Sequence, residues 1–123
     1  MERILVVDDE IHVVRLLKKF LTSKGYEVYT ATSGQEAIEQ AKTVNPHVIM
    51  LDIIMPGMGG IDTLKEIKKN NPKVAVVMLT AVIDEELAKR AIELGADDYI
   101  TKPIDLNYIE TNLMVKMLQL LDV

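Results

Sequence analysis

The sequence predicts an α/β domain: a parallel sheet with helices on both faces. Short apolar runs alternate with amphipathic segments through five βα units in 123 residues. The inner runs are continuous in Val, Ile and Leu, as strands covered on both faces require. The polar groups with chemical potential gather at the carboxyl ends of those runs, the edge where such sheets bind ligands.

The first strand is read at residues 4–7. A helix follows over Ile11–Ser23, where Ile11, Val14, Leu17 and Leu21 recur at helical spacing and Gly25 stops it. The second run, 28–31, is flanked by Glu27 and Thr32 and is polar enough to suit a sheet edge. Ser33, Gly34, Gln35 and Glu36 read as a capping box opening a second helix, which ends before Pro46. Residues 48–51 form the third strand. Ile61, Leu64 and Ile67 line a third helix, stopped by Asn71 and Pro72. The fourth strand is read at 74–79 and a helix over 85–94, ended by Gly95. The short fifth run, Tyr99 and Ile100, also suits an edge, and a last helix begins near Asp105. No linker or repeat interrupts the chain, so residues 1–123 are expected to form a single domain, with no output domain visible.

Composition narrows the function. With 49% hydrophobic residues a packed globule is expected. No apolar run is long enough to span a membrane, and "MERILVVDDE" lacks the features of a secretory signal. Without cysteine there is no disulfide framework or thiolate zinc site, and the cytoplasm is the expected compartment. Fourteen basic against nineteen acidic residues give a net charge of −5, which disfavours direct nucleic-acid binding.

Asp8 and Asp9 follow the first strand, and Asp52 follows the third. Thr80 ends the fourth, and the fifth leads through Thr101 to Lys102 and Pro103. Taken singly, Asp9 reads as a helix cap and Lys102 as a solvated loop charge. Together, three carboxylates, a hydroxyl and an ammonium converge on one shallow site. Close acids repel, and one is pushed towards protonation unless a cation intervenes. Mg²⁺ meets that need: it takes one or two carboxylates, keeps several waters and leaves room for a phosphate. Asp52 is then a plausible nucleophile towards phosphorus. Lys102, Thr80 and the neighbouring backbone N–H of Ala81 complete the counter-charges and donors.

Other α/β chemistries fail on specific residues. Asp8, Asp9 and Glu10 stand where a dinucleotide fold needs its glycine-rich turn, and no P-loop pattern occurs. A phosphatase of the haloacid dehalogenase type usually has an acid two residues after its nucleophile, where this chain has Ile54.

The segments "ILVVDDE", "LDIIMPGMGG", "VVMLTA" and "GADDYITKP", in this order and spacing, resemble the receiver domain of bacterial two-component response regulators, the fold shared with CheY. The resemblance covers essentially the whole chain. It implies strand order 2-1-3-4-5 and a doubly wound, flavodoxin-like sheet with five helices. It implies that Asp52 accepts a phosphoryl group from a histidine kinase or a phosphorelay protein. It implies that Asp9, Asp52 and the carbonyl of Ile54 ligate Mg²⁺, Asp8 acting through water. Lys102 contacts the phosphoryl group, with a cis bond to Pro103; Thr80 is the switch hydroxyl and Tyr99 the aromatic that turns inward with it. By its own spacing, Tyr99 is simply an amphipathic edge-strand residue. The implied output surface combines the fourth helix, fifth strand and fifth helix. Such a domain catalyses its own phosphotransfer and is not a conventional multiple-turnover enzyme. The alternative is a receiver-like interaction module in which phosphorylation plays no part.

Gly59 departs from the family, many members of which carry a polar residue there. Ile54 and Val82, each two residues beyond Asp52 and Thr80, cannot orient water by hydrogen bonding, so slow self-dephosphorylation is expected. His12 and His47 lack a ligand partner at useful spacing and read as structural. The last helix carries two apolar arcs. One holds Leu106, Ile109, Leu113, Met117 and Leu120, the other Tyr108, Met114, Val115, Leu118 and Leu121. The second reads either as scattered surface residues or as a contact surface for a downstream target, a homodimer or an output domain.

Overall fold

The computed structural model describes residues 2–81 and 84–121, the side chain of Leu121 excepted. Five strands and five helices alternate: β1 Arg3–Val7, α1 Ile11–Ser23, β2 Glu27–Ala31, α2 Gly34–Val44, β3 Val48–Asp52, α3 Gly60–Asn70, β4 Ala75–Thr80, α4 Glu85–Glu93, β5 Asp98–Thr101 and α5 Leu106–Leu121. All pairings are parallel and the order is β2-β1-β3-β4-β5. The chain goes outward from β1 to β2, then returns past β1 to β3. Strand order therefore reverses between β1 and β3, and ligands bind beside such a reversal.

Strand alternation divides the core into two layers. Leu5, Val7, Ile49, Leu51, Val76 and Met78 face Ala37 of α2, Leu64 and Ile67 of α3 and Ala91 of α4. Ile4, Val6, Val48, Met50, Val77 and Leu79 face Leu17 and Leu21 of α1 and Ile109, Leu113 and Met117 of α5. These side chains are buried, and each large one contributes about 2 kcal/mol by leaving water. The more polar runs, β2 and β5, are the edges, as their composition suggests.

Local chemistry fixes the ends of the elements. Ser33 caps α2 by accepting the Glu36 N–H at 3.2 Å, while the Glu36 carboxylate accepts from Thr32 Oγ1 at 3.5 Å. Asp84 caps α4 by accepting from the N–H groups of Glu86 and Leu87. Asp105 does the same for the start of α5 through Asn107 and Tyr108. Helix α4 ends one residue before the sequence suggests: Leu94 is its C-cap, and Gly95 turns away at a φ of 106°. Strand β4 likewise starts at Ala75, because the Val74 N–H closes the turn after Pro72 onto the Asn71 carbonyl.

His47 is structural, as its spacing suggests, and Asp97 joins it. His47 Nδ1 accepts the Arg3 N–H at 3.0 Å, which pins the start of β3 to β1. Asp97 Oδ2 accepts the Val76 N–H at 2.8 Å and so continues the β4–β5 pairing with a side chain. His12 is exposed on α1. In α5 the first apolar arc packs inward: Ile109, Leu113 and Met117 are buried, and Leu106 and Leu120 partly so. Of the second, Tyr108, Met114, Val115 and Leu118 are exposed.

Candidate functional site

Asp8 is the first residue beyond β1, and Asp52 is the last of β3. Both sit where the chain turns out of the sheet, and both use one oxygen to hold that turn. Asp8 Oδ1 accepts the Glu10 N–H at 2.9 Å, and Asp52 Oδ1 accepts the Ile54 N–H at 3.2 Å. These are Asx turns, in which a side chain substitutes for a backbone acceptor. Each leaves its Oδ2 for the site.

Lys102 meets those second oxygens. Its Nζ lies 2.7 Å from Asp8 Oδ2 and 3.6 Å from Asp52 Oδ2. Its own main chain is held by a 2.7 Å hydrogen bond from its N–H to the Thr80 carbonyl, and the bond to Pro103 is cis. The Lys102 side chain is only 12% exposed. It is therefore no solvated loop charge. Asp9 does not cap α1 either: Glu10 is the N-cap residue, with no side-chain cap bond, and Asp9 points its exposed carboxylate to the cleft.

Burial and charge set the protonation of these groups. Burial, and then the neighbouring Asp8 carboxylate, push the Asp52 carboxyl up to about 7, against the pull of Lys102 and the Ile54 N–H. For Lys102, burial opposes the ammonium. The contacts with Asp8, Asp52 and Glu10 outweigh it and hold the group above the usual lysine range.

One carboxylate oxygen from each of Asp8, Asp9 and Asp52 can be chosen so that all lie within 4.8 Å of one another. Asp8 Oδ2 is buried, has the ammonium beside it, and has no aligned hydrogen-bond donor among the described residues. Hard oxygen donors around an under-satisfied carboxylate, with an exposed acid on the solvent side, fit a hydrated divalent cation. A cleft of about 310 Å³ opens beside them, lined by Asp9, Glu10, Asp52, Ile54, Ala81 and Lys102. A larger cavity of about 410 Å³ lies between α2 and α3, near Asn45 and Asn71, but no acid lines it.

Thr80, buried at the end of β4, pairs in register with Thr101. Tyr99 pairs with Met78, and its half-buried ring packs against the layer that holds Met78 and Ala91. Because Met78 and Thr80 are two apart on one strand, Thr80 and Tyr99 share a sheet face. Val82 lies outside the described residues.

Two features escaped the sequence. Glu10 Oε1 is 3.5 Å from Lys102 Nζ, a third acid on the same ammonium. Its only signal was a third acid in the "DDE" run. Gly60 is fixed by packing: a Cβ there would overlap the Asp52 carbonyl oxygen and lie 2.5 Å from Ile53 Cα. Only glycine lets α3 start so close to the strand that carries Asp52.

The fold and this acidic cleft define a receiver-type α/β domain. The chain belongs to the response regulator receiver domain family, whose model matches residues 4–114. It is 44% identical over 116 residues to the alkaline phosphatase synthesis transcriptional regulatory protein PhoP of Bacillus subtilis, covering 94% of this chain and 47% of that one. It is thus similar to about half of PhoP's length. It is 41% identical over 103 residues to the chemotaxis protein CheY of Thermotoga maritima, covering 83% and 86% respectively. A CheY-like receiver domain from Methanospirillum hungatei superposes with a TM-score of 0.96 at 27% identity, covering 99% and 98%. The CheY-like fold and strand order implied by the resemblance are those observed.

Proposed function

We propose that the chain accepts a phosphoryl group on Asp52 from a histidine kinase or a phosphorelay protein, in a reaction that requires Mg²⁺. The observation that carries this reading is the convergence of Asp8, Asp9, Asp52 and Lys102 on one open cleft.

Asp52 is oriented for attack. The Ile54 N–H fixes one oxygen, and the other faces the cleft beside an ammonium. The new bond forms between a carboxylate oxygen and phosphorus while the donor's bond to phosphorus breaks, its electron pair leaving with the donor. Asp9 and Asp52, with the Ile54 carbonyl, would hold the cation, and Asp8 would act through water. A bound Mg²⁺ supplies positive charge against both the acids and a phosphoryl oxygen. Lys102, Thr80 and the Ala81 N–H supply the remaining contacts to that group.

The added charge and acceptor oxygens draw Thr80 inward and bias the ends of β4 and β5. Tyr99, on the same sheet face, follows. The surface of α4, β5 and α5 changes in consequence, and the exposed arc of Tyr108, Met114, Val115 and Leu118 offers a contact area for a downstream protein, an output domain or a second copy. Among the described residues no helix is long and apolar enough to cross a membrane. A cytoplasmic protein without direct nucleic-acid contacts is the reading that suits its composition.

The test is intact mass after incubation with acetyl phosphate and Mg²⁺, beside Asp52→Asn and a chelator control. A Mg²⁺-dependent phosphoryl adduct, absent from the variant, is expected. A native protein that binds Mg²⁺ yet gains no adduct would instead favour a phosphorylation-independent interaction module.

A further inference from the structure

Glu10 stands at the mouth of the cleft, with its side chain 63% exposed and its Oε1 3.5 Å from Lys102 Nζ. It does not cap α1, since the N-cap position it occupies makes no side-chain hydrogen bond. Nor does its side chain hold the Asp8 turn, which uses the Glu10 backbone N–H. Asp8 and Asp52 already pair Lys102 from below. A third acid on the solvent side of the same ammonium adds little to stability, because exposed pairs are screened. What it does add is a negative charge on the path of an incoming phosphodonor.

We propose that Glu10 is a specificity-determining residue that selects among phosphodonors by their charge, disfavouring small free anions. The inference rests on Asp52 being the phosphoryl acceptor. A donor delivers its phosphoryl group through the opening bounded by Asp9, Glu10, Ile54 and Ala81. A small acyl phosphate arrives there as a dianion with its charge uncompensated. A donor that carries less negative charge meets less repulsion from Glu10. In the transfer itself, the Asp52 oxygen forms the bond to phosphorus and the donor's P–O or P–N bond breaks. Its electron pair leaves with acetate, with ammonia, whose three protons the phosphoramidate monoanion already carries, or with imidazole, which takes up a proton. Glu10 touches none of the reacting atoms; it sets the electrostatic cost of approach.

Adduct formation should be followed by intact mass with acetyl phosphate, a dianion at pH 7.5, and with phosphoramidate, a monoanion. The proteins compared are the native chain, Glu10→Gln, Glu10→Asp, and Glu39→Gln, an exposed acid on α2 that makes the same change in net charge. Removing one charge beside a dianion in a water-like, salt-screened medium changes the approach by about threefold, and for a monoanion by less than twofold. Glu10→Gln should therefore accelerate acetyl phosphate more than phosphoramidate, with the difference shrinking as salt rises. Glu10→Asp should stay close to the native ratio, and Glu39→Gln should not move it. Equal acceleration with both donors would overturn the proposal, showing that Glu10 merely withholds Lys102. An unchanged ratio in Glu10→Gln would overturn it as well. If the native chain forms no adduct with either donor, the phosphoacceptor reading fails and this inference falls with it, an outcome distinct from adducts whose donor ratio does not move.

Discussion

Lys102 sits closer to Asp8 than to Asp52, with its Nζ 2.7 Å from the first carboxylate and 3.6 Å from the second. In this arrangement the ammonium neutralises the fully buried Asp8 while leaving the outer oxygen of Asp52 open to the cleft. It is a structural counter-ion, and under the proposed function also a cation for the incoming phosphoryl group; the two roles separate on mutation.

Lys102→Ala should destabilise the metal-free protein by about 3 kcal/mol at pH 8, since it leaves two buried carboxylates without their partner. The loss should shrink in acid, where one carboxylate protonates, and in the presence of Mg²⁺. Urea unfolding at pH 5 and pH 8, with and without Mg²⁺, checks this. A loss independent of both pH and metal would mean that packing, not charge, is what Lys102 contributes.

The raised Asp52 carboxyl fixes the sign of a pH dependence. Its folded value of about 7 exceeds the unfolded value of 3.8, so the folded state holds the proton more tightly. The stabilising contribution is complete below pH 4 and is lost as pH rises through 7. Because the cleft leaves this carboxyl partly open to solvent screening, a loss of about 1–2 kcal/mol is expected rather than the full linkage value. Asp52→Asn should flatten this decline and be the more stable protein at pH 8 without metal. Thermal melts between pH 4 and 8 would show it, and a parallel decline in the variant would assign the effect to another group.

Mg²⁺ should reverse the same decline. At ten times its dissociation constant a ligand specific to the folded state stabilises by about 1.4 kcal/mol. At pH 8 the melting temperature should rise with Mg²⁺ and fall on chelation, with the shift much reduced in Asp52→Asn. An equal shift in native protein and variant would place the ion elsewhere.

Ile54 is 53% exposed and lines the cleft, so its side chain stands beside the proposed phosphoryl site without a group to position water. Ile54→Asn should shorten the phosphoryl half-life by about two- to fivefold, the worth of one modest hydrogen bond to the attacking water. Decay of the mass adduct after donor removal measures this. A half-life equal to or longer than the native one would show that water positioning does not limit hydrolysis.

Gly59 and Gly60 should respond in opposite directions. Gly59 is the N-cap of α3 at a φ of −70°, and a Cβ added there would have its nearest neighbour 3.9 Å away. Gly59→Asp should therefore stabilise by about 0.5–1 kcal/mol, through a new cap and a less free unfolded chain. Gly60→Ala should cost about 2 kcal/mol or more, because its methyl group meets the β3 backbone. Urea midpoints decide both, and a neutral Gly60→Ala would show that the loop yields easily.

Much of this molecule is legible in the sequence because the signals are local. Alternation of strand and helix patterns, the polar edges at β2 and β5, and the Ser33 cap each depend on residues near one another in the chain. Acids at strand ends are legible because a parallel sheet delivers all those ends to one edge. Gly59 stands out in the sequence as a departure, but its meaning requires seeing it at the N-cap of α3.

By itself, then, the sequence determined the class of fold, the edge that carries the chemistry and the residue types gathered there, since periodicity and strand-end position are properties of short segments. Tertiary structure decided how those groups share one another. It placed Lys102 against Glu10, 92 positions earlier in the chain, and gave each aspartate one oxygen for its turn and one for the cleft. It also decided which apolar arc of α5 is covered and which faces solvent. Charge coupling and burial depend on distances through space, and no local pattern encodes them.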